Sequence, residues 1–78
     1  MKTLVERLET DLLGQQINLE CEEAVVEYLN RYKILFDQGD SSPSIIRRVY
    51  QLVASKKIVK ELKQKIEDLE YLIGKQTT

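Results

Sequence analysis

The sequence predicts an all-α protein: an antiparallel helical hairpin over about residues 18–38 and 43–73, preceded by a short helix over about residues 4–13. Three observations carry this. Apolar residues recur at alternating steps of three and four, the period of one helix face and not of a strand. Helix breakers are scarce, with 3 glycines and 1 proline in 78 residues. A single punctuated segment, Gly39-Asp40-Ser41-Ser42-Pro43, separates two long periodic stretches. A connection that short makes neighbouring helices antiparallel.

The opening segment has a capping signature. Thr3 can accept a hydrogen bond from the first turn's amides, and Glu6 follows three residues on, as in a capping box. Leu4, Leu8 and Leu12 recur every fourth residue, and Val5 and Leu13 widen the stripe. Gly14 is compatible with either a break or a weakened helix, since an interior glycine costs about 1 kcal/mol relative to alanine. Taken as a break, it separates a short first helix from the hairpin.

In the second segment Cys21, Val25, Tyr28, Tyr32 and Leu35 step by alternating fours and threes, which predicts one helix face, broadened by Ala24, Leu29 and Phe36. Glu20, Glu22 and Glu23 lie early in it and Arg31 and Lys33 late, the order the helix dipole favours. Gly39 can take the left-handed conformation that closes a helix. Ser42 is then a natural cap, and Pro43 fits the first helical position, where no amide hydrogen is required.

The third segment is the longest, ending at Gly74 with a frayed Lys75–Thr78 tail. As one helix, residues 43–73 span about 46 Å. Leu52, Ser55, Val59, Leu62, Ile66, Leu69 and Ile73 form a coiled-coil-like seam with Ser55 as its weak knob, and Ile45 and Val49 extend it toward the turn. Leu52, Val59, Leu62, Ile66 and Leu69 are the expected internal core. Both apolar stripes are wider than one helix pair can cover, so a protein partner is expected on the remainder. Tyrosine is enriched at the centres of interfaces, and Tyr28, Tyr32, Val49, Tyr50 and Val53, in the half nearer the turn, are the expected partner-binding residues.

Charge agrees with helix pairing. Residues 1–40 contain nine acids and four bases, whereas residues 41–78 contain four acids and eight bases. Opposite signs on antiparallel helices help to fix alignment, although exposed pairs add little affinity.

Composition removes several classes of chemistry. There is no histidine, so the usual zinc fingers and any histidine-based triad are absent. The single cysteine, Cys21, has no partner for an internal disulfide, and its place on an apolar stripe predicts a small buried hydrophobe rather than a nucleophile. The cluster Glu20, Glu22, Glu23 and Glu27 lacks the histidines of a di-iron bundle and reads as a solvated face. Asp37, Asp40, Ser41 and Ser42 do not follow the spacing of a calcium loop. No catalytic residue, metal, cofactor or small-molecule substrate is expected. The bases Arg47, Arg48, Lys56, Lys57, Lys60, Lys63 and Lys65 suggest nucleic acid as a lesser alternative, weakened by the overall charge of -1. No apolar run approaches the roughly 20 residues that cross a bilayer. Acidic residues stand where a signal peptide needs apolar ones, so the expected location is the cytoplasm.

Assembled in order, these landmarks resemble a family: the YscE/PscE-like small co-chaperones of type III secretion needle subunits. The features in common are the acidic amphipathic opening Thr3-Leu4-Val5-Glu6-Arg7-Leu8-Glu9, the turn Gln38-Gly39-Asp40, the tyrosine-bearing start Tyr50-Gln51 of a longer helix, and the finish around Leu62, Ile66, Leu69 and Ile73. The resemblance implies a helical hairpin bound to a small tetratricopeptide-repeat chaperone, the two together holding a needle subunit unpolymerised. The Ser-Ser-Pro segment and the more basic second helix depart from that pattern. Two alternatives accompany it: a needle subunit, which has a similar length and a proline in its turn, and a homodimeric helical regulator that binds nucleic acid through its basic helix.

Overall fold

The computed structural model describes residues 3–77 as two helices and one turn: α1, Leu4–Asp37, and α2, Pro43–Thr77. They pack against each other as an antiparallel hairpin, and no strand occurs among the described residues. The principal dimensions are 54 × 20 × 13 Å.

Both helix starts and the turn follow directly from local chemistry. The Thr3 hydroxyl accepts the Glu6 amide at 3.2 Å, capping α1. At its other end the Gly39 N–H donates to the Phe36 carbonyl and the Asp40 N–H to the Leu35 carbonyl, both at 3.0 Å. This pair of bonds is a Schellman closure. It requires a left-handed residue, and Gly39 supplies it with φ 102°. Asp40 then accepts the Ser42 N–H through Oδ1 at 3.1 Å, which tightens the turn. The Ser42 carbonyl accepts the first helical bond of α2, from the Ile46 N–H, with Pro43 in the first helical position.

The separate N-terminal helix expected over residues 4–13 is not present: α1 runs through Gly14 without interruption. Gly14 does not have a positive φ, and nothing lies within 4 Å of the place a Cβ would occupy. Its propensity cost of about 1 kcal/mol is spread over a long cooperative helix already begun at Thr3. Gly74 likewise fails to stop α2, which continues to Thr77, and the Thr77 hydroxyl donates to the Ile73 carbonyl at 3.1 Å. Thr78, the end of the expected frayed tail, lies outside the described residues.

Continuity through Gly14 decides which face of α1 is buried. Val5, Leu8, Leu12, Gln15, Leu19, Glu22, Val26, Leu29 and Lys33 recur at alternating steps of three and four, and all are buried or half-buried. This seam meets Ile45, Val49, Leu52, Ser55, Val59, Leu62, Ile66, Leu69 and Ile73 of α2, which are buried or half-buried throughout. The face expected to be buried in α1 is therefore corrected. Cys21, Val25, Tyr28 and Leu35 are exposed, and of the broadening residues only Leu29 lies in the core, at 3% exposure. The phase is set by Val5, Leu8 and Leu12 and carried unbroken through three polar positions, Gln15, Glu22 and Lys33.

A single seam makes a thin molecule. The Cα radius of gyration is 17.3 Å, against about 11.5 Å for a compact domain of this length. The chain exposes 6035 Å², whereas a compact monomer of its mass exposes about 4,900 Å².

Candidate functional site

With the internal seam fixed, the exposed apolar side chains of α1 fall into place. Leu13, Ile17, Cys21, Ala24, Val25, Tyr28, Ile34 and Leu35 all lie outside the hairpin core. They occupy its outward side over about six helical turns, interrupted by Glu20, Glu27 and Arg31. Ile17 is 53% exposed and Tyr28 48%. Grouped exposed apolar side chains are the feature that calls for explanation, whereas scattered exposed leucines are ordinary.

The middle of the outward side of α2 is of the opposite character, although Tyr50, Val53, Tyr71 and Leu72 are exposed nearer its ends. Between Lys56 and Asp68 its exposed residues are Lys56, Lys57, Lys60, Glu61, Lys63, Gln64, Lys65, Glu67 and Asp68, with Ile58 as the one apolar member. Arg48 extends the basic set toward the turn.

The five residues expected to bind a partner do not form one surface. Tyr28 and Tyr32 lie on one flank of the hairpin, where the Arg48 guanidinium sits 5.6 Å from the centroid of the Tyr32 ring. By helical phase, Tyr50 and Val53 project on the other flank of α2, 73% and 63% exposed. Val49 is half-buried at the edge of the seam beside them. Of the five expected core residues, Leu52 and Leu62 are buried, Leu52 most completely at 1% exposure. Val59, Ile66 and Leu69 are half-buried in the same seam. Sequence reading missed Leu13, Ile17 and Ile34 as surface candidates; the signal that finds them is the phase of Leu8 and Leu12 extended past Gly14.

The tyrosine pair is the most structured part of the face. The Tyr28 and Tyr32 hydroxyls are hydrogen-bonded at 3.0 Å, with ring centroids 5.6 Å apart and planes at 67°. Edge-to-face geometry sets the positive rim of one ring against the negative face of the other. The hydrogen bond that the Tyr32 hydroxyl makes to Tyr28, and the charge repulsion between the two phenols, hold the Tyr32 phenol above the usual tyrosine range, opposed by Arg48 and Arg31. Arg48 is steadied by donating to Gln51 Oε1 at 3.1 Å. Arginine and tyrosine held in place this way lose little entropy when a partner docks.

Two shallow grooves run beside the seam. Glu23, Val26, Glu27 and Asn30 of α1 and Lys56, Val59 and Lys63 of α2 line one of about 290 Å³. On the opposite flank Asp11, Gln15, Lys65, Asp68 and Leu69 line another of about 440 Å³. Both signs of charge face each other across each groove. Lys56, Lys60 and Lys63 share one side of α2, yet Glu23 and Glu27 stand opposite them and offset the field a nucleic-acid phosphate would meet.

No group of three or more histidine, cysteine or acidic side chains positioned to hold a metal occurs among the described residues. No described helix is long and apolar enough to cross a membrane. Comparison with known proteins finds no matching family model, no matching curated protein and no matching solved structure.

Proposed function

We propose that this chain is a non-enzymatic protein-binding adaptor that docks through the outward face of α1 and leaves the charged side of α2 to solvent. The observation that carries the reading is the face of exposed apolar side chains that recurs from Leu13 to Leu35. About 1,100 Å² of surface beyond that of a compact monomer agrees with it, since each side of a standard protein interface covers about 800 Å².

In its specific form the proposal follows the resemblance to the small co-chaperones of type III secretion. The hairpin covers the exposed end of a tetratricopeptide-repeat chaperone in the bacterial cytoplasm, and the chaperone holds the needle subunit unpolymerised. A repeat array must end in a polar face. A hairpin with one apolar and one charged side meets that requirement, turning α1 inward and α2 outward.

The test is co-expression with a small tetratricopeptide-repeat protein encoded beside this chain. A complex that survives size-exclusion chromatography, and is lost with Ile17→Glu while the variant stays helical, is the expected result. Separate elution of the two proteins, or a complex indifferent to Ile17→Glu, overturns it. Filaments that grow with concentration point instead to the needle-subunit alternative, and salt-dependent retention of nucleic acid to the regulator.

A further inference from the structure

Charge is divided along the length of the hairpin. Val26 and Val59 line one groove and so lie at the same height, which sets Tyr28 level with Lys57. From Tyr28 round the turn to Lys57 the chain carries six bases and two acids, whereas the rest of it carries six bases and eleven acids. Both acids of the turn half are already engaged. Asp37 pairs with Lys33 at 2.6 Å, and Asp40 accepts the Ser42 N–H. Lys56 faces Glu23 and Glu27 across the groove on the other flank. The positive charge left over at this end is therefore largely that of Arg31, Arg47 and Arg48.

Two of these arginines converge on the tyrosine pair. The Arg48 guanidinium sits 5.6 Å from the centroid of the Tyr32 ring, and Arg31 is one turn from Tyr28 on α1. Both act on the Tyr32 phenol in the direction that favours a negative charge there. Neither makes an ion pair among the described residues. Arg48 commits one N–H to Gln51 and has others to give. The two tyrosine hydroxyls carry two protons and share one hydrogen bond, so one O–H is left to donate outward.

We infer that this cluster is a carboxylate site, and that the segment docking on α1 is an acidic amphipathic one whose aspartate or glutamate sits against Arg48 and the tyrosine hydroxyls. A carboxylate accepts two parallel N–H bonds from a guanidinium and still has lone pairs for a phenol. Val25 and Leu35 are exposed on either side of the tyrosine pair, about 15 Å apart along α1. The segment therefore carries apolar residues about one helical turn before and after its acid. Nucleic acid fits less well. Its phosphates would suit the arginines, but its backbone has nothing for Val25 and Leu35, and the Tyr32 ring on which a base would stack already has Arg48 over it. The inference rests on the adaptor reading and deepens it: it names the chemistry of what docks and does not depend on the partner being a tetratricopeptide-repeat protein.

NMR titration of the full chain with two peptides tests it. Each is an alanine-rich helix of about 20 residues with leucine one turn before and one turn after a central position, glutamate in one peptide and glutamine in the other. The glutamate peptide should bind about tenfold more tightly, since hydrogen bonds to a charged group contribute more than those to a neutral amide. It should shift the Arg48 side-chain N–H and the Tyr28 and Tyr32 ring signals, and its advantage should shrink as salt is added. Arg48→Gln should abolish the preference with helical circular dichroism unchanged, because Arg48 is exposed. Equal affinities for the two peptides, binding of neither, or a preference that survives Arg48→Gln overturns the inference. So does a single-stranded oligonucleotide that displaces the glutamate peptide, which assigns the cluster to nucleic acid. A co-expressed complex lost with Ile17→Glu but indifferent to Arg48→Gln sinks this inference alone. A glutamate preference at Arg48 in a chain that binds no tetratricopeptide-repeat protein sinks the chaperone reading alone.

Discussion

α1 and α2 are nearly equal in length, at 34 and 35 residues, and share one seam, yet they present opposite backs to solvent. The middle of the back of α2, from Lys56 to Asp68, is mostly lysine, glutamate and glutamine, the surface of a helix whose apolar requirement is satisfied there by its neighbour. The back of α1 has Ile17, Val25, Tyr28 and Leu35 where α2 has Lys57, Lys60 and Lys65. Conversely, the inner seam of α1 admits Gln15, Glu22 and Lys33, while that of α2 is apolar apart from Ser55. Exposed apolar residues on α1 thus run along its length, and those on α2 fall mainly near its two ends, at Tyr50 and Val53 and at Tyr71 and Leu72. The hairpin covers one apolar side of α1 and leaves the other exposed.

The largest expected effect separates seam from surface. Leu52→Ala should destabilise by about 2–5 kcal/mol, because the side chain is 1% exposed and truncation leaves a cavity between the helices. Ile17→Ala, on the outer face of α1, should change the stability of the monomer by no more than about 0.5 kcal/mol. Chemical denaturation of both variants at a concentration where the chain is monomeric checks the pair. Equal losses would mean that the two faces are not different in kind.

Next come the glycines, which sharpen the comparison along the chain. Gly39→Ala should cost about 1–2 kcal/mol, since a Cβ is forced into the left-handed region at φ 102°. Gly14→Ala should instead stabilise by up to about 1 kcal/mol, as a continuous α1 leaves room for the methyl group and recovers helix propensity. Thermal unfolding reads both. A loss at Gly14 would restore the broken helix and, with it, the alternative phase for α1.

Much of the fold was legible from residue types alone. Thr3 and Glu6, the Gly39 closure, and Ser42-Pro43 each have a mechanism that needs no tertiary information, and α2 has a clear seam because no other row of apolar residues runs its length. The phase of α1 was not legible in the same way. Two candidate faces, one through Leu19, Val26 and Leu29 and one through Cys21, Val25, Tyr28 and Leu35, both satisfy a helical repeat, and the second is richer in apolar residues. The richer face is the one left outside. What decides is whether the register of Val5, Leu8 and Leu12 passes through Gly14, a matter of cooperativity over many turns and not of any local residue. The same ambiguity hid the candidate site: an outer face at interface composition looks like core until the actual core is known. Tyr28 and Tyr32 were identified as surface candidates on residue type, but Val49, Tyr50 and Val53 were grouped with them by closeness to the turn, which helical phase does not respect.

The smallest expected effect lies within the tyrosine pair and tests whether the outer face of α1 is organised before anything docks. The hydrogen bond between the two hydroxyls favours neutral Tyr32, so its folded-state pKa lies above the unfolded value. The associated stabilisation is complete below the unfolded pKa and is lost as pH rises through the folded one. Both rings are accessible to water, so the loss should be slight and confined to strongly alkaline solution. Spectroscopic titration of tyrosinate should therefore show a late phase that belongs to Tyr32. Tyr28→Phe removes the hydroxyl that bonds Tyr32 and leaves Arg48 and Arg31, which favour ionisation, so the late phase should disappear and Tyr32 should titrate earlier than in the wild type. A late phase unchanged by Tyr28→Phe, or no late phase in the wild type, would mean that the pair is not held together in solution and that the outer face of α1 is not organised in advance.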